Sequence, residues 1–294
     1  MTQRWVLMYH RVCPRDRETA CWFSRGTAVT PEAFEAQIGW LQERFDVGSL
    51  AELAEPDTGA SRPRIAITFD DGYTDVIRSA LPVLRRRGLT GTCFASAAPA
   101  THGSALWFDT WYTSVPSGMS RPSFLGYLRA QGVPVPTDLE GFVTGPPKQW
   151  LAGLHPSARN EHLRALSDLA GTALSQSLYL DLDGLQKLCS LGWEIGGHGL
   201  HHVPLAECDA PTRDSEIAAS TALLDRVGVR GPRVFAYPNG SHDQDAADAV
   251  QSAGFSLACT VQRGPWTPET LPMRIPRLFC RGDTPVPHRL LSGA

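Results

Sequence analysis

Two adjacent carboxylates, Asp70 and Asp71, end the apolar run I-A-I-T-F-D-D-G from Ile65 to Gly72, and three of the nine histidines crowd into G-G-H-G-L-H-H as His198, His201 and His202. Neighbouring carboxylates repel one another and lose hydration on burial, so a buried pair must share a cation or a proton. A turn whose aspartates cap the next helix is the alternative on these residues alone. His198 and His202 stand four apart. In a helical turn that spacing puts both imidazoles on one face, as in zinc peptidases, and the flanking glycines let backbone and metal approach closely. Two neutral imidazoles and one carboxylate make a three-ligand set with open positions for water, the make-up of a catalytic metal site. A hydrogen-bonded polar turn is the plainer alternative for this stretch.

These residues need elements to hold them. Ile65, Ala66, Ile67 and Phe69 have the length and branching of a buried strand, and Gly72 allows a sharp turn just past its carboxyl end, where active sites of α/β folds sit. Trp5 to Tyr9 reads as a first strand, with His10 and Arg11 just beyond it, followed by a polar loop to about Val29. Thr30 to Phe45 opens T-P-E and repeats Phe34, Ile38, Leu41 and Phe45 at helical spacing, so an amphipathic helix is expected. A helix capped by Thr74 or Asp75 and running to Arg87, then a strand over Gly91 to Ser96, continue a β-α-β-α-β rhythm. From about Ala97 to Leu180 the rhythm breaks, and an insertion with its own short helices is expected, Pro156 to Leu174 being the best candidate. Alternation then resumes: helix Leu182 to Leu191, strand Trp193 to Gly196, helix Pro211 to Val227, strand Val234 to Tyr237, helix Asp243 to Ala253 and strand Ser256 to Val261. Such alternation predicts an α/β fold with a parallel, barrel-like sheet.

The 294 residues and 42% hydrophobic content fit one large α/β domain spanning 1–294. A net charge of -3, with arginines spread along the chain and only Lys148 and Lys187 as lysines, gives no basic field for nucleic acid. No apolar run approaches the roughly 18 residues of a membrane span, and the run before His10 is too short for a signal sequence. The seven cysteines form no C-x-x-C pair, which suits a reducing compartment. A soluble, cytoplasmic protein is expected.

The pairing of T-F-D-D-G with H-x-x-x-H resembles the polysaccharide deacetylases, also called NodB-homology proteins or carbohydrate esterase family 4, and the resemblance covers almost the whole chain. It implies a distorted (β/α)7-type barrel, Asp70 as general base, and Asp71, His198 and His202 as ligands of a divalent metal, zinc by preference, with cobalt, nickel or iron able to replace it. The third motif of the family has an arginine two residues before a proline, whereas F-A-Y-P-N-G here has Ala236. Arg11, Arg233, Arg274 and Arg277 are the candidates to orient Asp70 instead. The same loop implies the backbone amide of Asn239 as an oxyanion donor, with Tyr237 expected on the substrate. A threonine or serine often follows the first histidine of the second motif; here it is Gly199. No Leu-His pair closes the chain, since His288 sits among prolines, and L-M-Y-H-R-V looks like the branch in which the motif order is permuted. That makes His10 the candidate acid.

The chemistry implied is removal of an N-acyl group, N-acetyl by preference, from an amino sugar. The insertion follows a strand's carboxyl end, so it should fold over the metal site, with Trp107 and Trp111, beside Phe108 and Tyr112, stacking on a sugar ring or apolar aglycone. A covered pocket favours a small glycosylated molecule; a polysaccharide or peptidoglycan deacetylase, an O-acetyl esterase and an inactive sugar-binding module are the alternatives.

Overall fold

The computed structural model describes residues 3–55, 62–172 and 178–281. Its main sheet is built from β1 (Arg4–Tyr9), β2 (Arg64–Phe69), β3 (Thr92–Ala95), β4 (Glu194–Gly197), β5 (Arg233–Ala236), β6 (Phe255–Cys259) and β7 (Leu278–Phe279). In space these run β7-β1-β2-β3-β4-β5-β6, all pairings parallel, and the short strand Asp46–Gly48 also pairs along the first half of β2. Strands buried on both faces must be apolar along their whole length. Residues 5–9 and 65–69 are buried without a break. Past β6 the chain doubles back: the Ala258 amide donates to the Pro272 carbonyl, and the Ile275 amide to Ala258. It then enters β7 beside β1, curling the sheet into a half-barrel.

Helices cover the outer face as their sequence pattern requires. The helix Pro31–Arg44 buries Phe34, Ile38 and Leu41, and its Thr30 hydroxyl accepts from the Ala33 amide at 3.2 Å. Each such apolar side chain contributes about 1.5–3 kcal/mol when fully buried. The helix after the T-F-D-D-G turn departs from expectation. It starts as a π-helix, Val76–Ala80, before Leu81–Arg86, and Asp75 caps nothing because its carboxylate pairs with Arg11 Nε at 2.6 Å.

The described part of the insertion is mostly helical, with helices Ala97–His102, Trp107–Gly118, Pro122–Ala130, Leu139–Thr144, Pro146–Gly153 and Pro156–Ala170. They bury a second apolar core around Trp111, Phe124, Phe142, Leu151 and Leu166, beside the barrel core. The expected loop before Val29 contains another helix, Ala20–Arg25, whose Cys21 and Trp22 complete that core. Among the described residues, no helix is long and apolar enough to cross a membrane.

Candidate active site

The T-F-D-D-G turn places Asp70 and Asp71 at the carboxyl end of β2, both buried. Asp71 has φ of 70°, His202 of 59° and Asn239 of 54°, and these are the non-glycine positive-φ residues among those described. A left-handed backbone is strained for residues with a Cβ and persists only where the surroundings enforce it. All three line one cavity of about 580 Å³.

Asp71 Oδ1 lies 3.3 Å from His198 Nε2 and 3.4 Å from His202 Nε2, and it has no hydrogen-bond partner. One ligand atom from each of the three residues falls within 4.8 Å of the others. His198 Nδ1 is 2.7 Å from the Ala236 carbonyl, which can only accept, so Nδ1 carries a proton and Nε2 faces Asp71; burial opposes charge on the ring, but Asp71 and Asp70 outweigh it and raise its pKa. Metal-ligating histidines are oriented in this way. Burial lowers the His202 pKa to about 4 against the pull of Asp71, leaving a neutral ring at pH 7. Burial opposes charge on Asp71 too, but the two imidazoles outweigh it and its pKa is lowered. Two ring nitrogens and an ionised oxygen thus converge, a donor set that fits a divalent cation, whose binding would displace any proton on His198 Nε2.

The loop carrying the histidines is held by a residue the motif does not contain. The buried Glu216 accepts from the Leu200 amide at 2.7 Å and from the His201 amide at 2.9 Å. Gly199, at φ of 76°, leaves room for that carboxylate, since a Cβ there would stand 2.7 Å from Glu216 Oε2. The serine or threonine expected by resemblance cannot fit without displacing it.

Of the four candidate arginines, Arg277 meets Asp70. Its Nη1 and Nη2 donate to the two carboxylate oxygens, both at 2.7 Å, and its Nε donates to the Thr260 carbonyl at 2.9 Å. Arg11 pairs with Asp75, Arg233 with Asp225, and Arg274 reaches Gln244. Burial would raise the Asp70 pKa, but Arg277 and then His198 outweigh it and hold the carboxylate ionised. The planar fork matches a carboxylate in two bonds, which a lysine could not do.

His10 lines the same cavity, its ring edge-on to Phe279 at 5.5 Å and its buried Nδ1 without a partner. Burial lowers its pKa, opposed by Asp71 and Asp70. Tyr237 is buried on the cavity wall, stacked on His242, with its hydroxyl unpaired. Asn239 is exposed at the rim. His288 lies outside the described residues.

The sequence profile of the family described as polysaccharide deacetylase matches residues 57–135 and 155–258. This chain belongs to the polysaccharide deacetylases. It is 18% identical over 263 residues to YxkH of Bacillus subtilis (strain 168), named for the same family, covering 88% of this chain and 64% of that protein's length. Among solved structures, the Streptococcus pyogenes deacetylase PplD in complex with acetate superposes with a TM-score of 0.66 at 15% identity, over 99% of this chain and 97% of that one. IcaB from Ammonifex degensii gives 0.60 at 17% identity, over 100% and 97%. At such identities the likeness bears on the fold, which is the NodB-type half-barrel.

In this chain the insertion does reach the cavity, but not through every aromatic residue expected. Trp107, Phe108 and Tyr112 line it, and Phe108 packs edge-on against His202 at 5.1 Å. Trp111 does not. It is fully buried in the helical core, stacked on Phe124 at 5.8 Å, with its indole N–H donating to the Phe142 carbonyl at 2.9 Å. One residue along a helix is a rotation of about 100°, so Trp111 and Tyr112 face different ways. The expected substrate contact by Trp111 is therefore corrected to a packing role.

Sequence reading also missed what locks this lobe to the motif turn. The buried Asp109 accepts from Trp22 Nε1 at 2.8 Å, from the hydroxyl of Tyr73, directly after the T-F-D-D-G turn, at 2.9 Å, and from the Tyr179 hydroxyl. Burial, then the Asp71 charge, pushes the Asp109 pKa up to about 7. Asp109 gave no signal because its partners are scattered from 22 to 179 in the chain.

Proposed function

We propose that this protein is a metal-dependent N-deacylase that removes an acyl group, acetyl by preference, from an amino sugar on a small molecule. The observation that carries this reading is the convergence of Asp71, His198 and His202 beside the Arg277–Asp70 pair in one cavity. A divalent cation held by those three residues, zinc by donor type, supplies an acidic water and charge for the acyl oxygen. Asp70 takes the proton of the attacking water, kept ionised for that task by Arg277. His10, entering the step protonated, gives its proton to the departing nitrogen, the C–N bond breaks, and carboxylate and amine result, with the water's proton left on Asp70. The Asn239 backbone amide steadies the acyl oxygen, and the unpaired Tyr237 hydroxyl meets the substrate. Trp107, Phe108 and Tyr112 wall the cavity on the insertion's side, and this reading takes that wall to favour a small substrate over a long polymer. The seven free thiols suit a reducing compartment, so action in the cytoplasm is part of this reading.

The test is acetate release from N-acetylated amino sugars by the metal-loaded protein. Asp70→Asn should remove at least about a hundredfold of kcat, as loss of a positioned base does. His10→Ala should slow amides far more than activated esters, whose leaving groups need no proton. Unchanged amide turnover in both variants would overturn these roles.

A further inference from the structure

Three cations stand on the wall of the active-site cavity: Arg25, Lys148 and Arg281. They come from three distant segments and form one patch. Lys148 Nζ sits 5.3 Å from the centre of the Tyr112 ring, and Arg25 stands on the same wall beside that tyrosine. A Cβ on Gly26, next to Arg25, would stand 3.4 Å from Arg281 Cδ, and the Arg281 guanidinium lies over Phe279, the ring that flanks His10. Among the described residues, none of the three has a carboxylate within pairing distance. The acids of the cavity are already committed, Asp70 to Arg277 and Asp71 to the candidate metal set with His198 and His202.

Like charges gathered without a counter-ion repel, and ordinary surface arginines avoid this by pointing apart into water. Lys148 is not so placed. It is half-buried, and burial followed by the Arg25 charge pushes its pKa down to about 8. Among the described residues the cavity wall thus carries three cations with no carboxylate in pairing distance, an arrangement that an anionic ligand would relieve. Arginine forks suit the oxygens of phosphate, and a lysine adds a point charge.

We propose that Arg25, Lys148 and Arg281 form a subsite for a phosphate ester on the substrate, so that the sugar is presented to the metal ligands as an N-acylated sugar phosphate. This rests on the deacylase reading above and narrows its substrate class. The phosphate can belong to a simple sugar 1-phosphate, a nucleotide sugar or a lipid-linked sugar, three sources of one chemistry.

The experiment compares kcat/KM for acetate release from N-acetylglucosamine, N-acetylglucosamine 1-phosphate, UDP-N-acetylglucosamine and a polyprenyl-diphosphate-linked N-acetylglucosamine in detergent, with N-acetylmuramic acid as a carboxylate control. Glucosamine 1-phosphate and glucosamine are titrated by calorimetry in parallel. A phosphorylated substrate should exceed the neutral sugar by at least about tenfold, the worth of one charge-assisted contact. The three phosphorylated substrates rank its source. Arg25→Gln/Lys148→Gln should bring that ratio close to one, and 0.5 M salt should shrink it through screening. Equal turnover of neutral and phosphorylated sugars, or a preference only for the carboxylate, overturns the phosphate subsite and leaves the deacylase reading intact. No acetate release from any substrate, with glucosamine 1-phosphate still bound by the wild type and lost in the double variant, supports the subsite and overturns the deacylase reading. Equal or absent binding of the two products overturns the subsite.

Discussion

Replacing Arg277 by Met should expose how tightly the candidate base depends on its partner. The wild-type guanidinium makes two 2.7 Å bonds to Asp70 and one of 2.9 Å to the Thr260 carbonyl, all buried. Removing one member of a buried pair leaves an uncompensated charge and costs about 3–5 kcal/mol. Unfolding entropy of about 2.1 cal/mol/K per residue gives about 0.6 kcal/mol/K for this chain, so Tm should fall by about 5–8 °C. The wild-type Asp70 pKa is lowered, so its pairing stabilises the fold above the ordinary carboxylate value of 3.8 and stops doing so as pH falls through the lowered value. The destabilisation should therefore be large at pH 7 and shrink below pH 4. Without Arg277 burial dominates, Asp70 protonates at higher pH, and the acid limb of kcat/KM moves up. Arg277→Met/Asp70→Asn should regain most of the lost stability while remaining inactive. Thermal unfolding by circular dichroism across pH, with the pH–rate profile, reads all of this. A Tm loss under about 2 °C, or a double variant no more stable than the single one, would refute the reasoning.

The Asp109 pKa of about 7 against an unfolded value of 3.8 means that its folded-state stability is fully present below pH 3.8 and is lost as pH rises to about 7. That difference is worth about 4 kcal/mol, and Asp109→Asn should flatten this slope in denaturant titrations at pH 4, 5.5 and 7; an unaltered slope would show that Asp109 is not its source. Trp111→Ala should destabilise by about 3–5 kcal/mol in urea unfolding through the cavity it leaves. Trp107→Ala should mainly raise KM, and the opposite pattern would restore Trp111 to the cavity.

The half-barrel was legible because parallel strands buried on both faces must be apolar throughout, and runs such as 5–9 and 65–69 can hardly be read otherwise. The helix from Pro31 was legible through Thr30 and its spacing. The helix after the T-F-D-D-G turn was misjudged because Thr74 and Asp75 look like caps locally, whereas Asp75 answers to Arg11, 64 positions earlier. β7 escaped notice because two residues carry no pattern, although they bring Arg277 to Asp70 from 207 positions away. Asp71, His198 and His202 were readable because local spacing carries them, and the structure does gather all three. Trp107 and Trp111 looked alike in sequence, and only the packing of Phe124 and Phe142 separates them. Glu216 and the Tyr73–Asp109–Tyr179 cluster depend on contacts between distant segments, which no single stretch encodes.

The most direct test of a metal held by Asp71, His198 and His202 is elemental analysis of the purified protein, run beside the same measurement on Asp71→Ala, His198→Ala and His202→Ala. About one divalent ion per wild-type chain is predicted, with retention lost in each variant and wild-type acetate release stopped by chelator and restored by added zinc. A folded wild-type protein that carries no ion, yet deacetylates at full rate in chelator, would contradict the account.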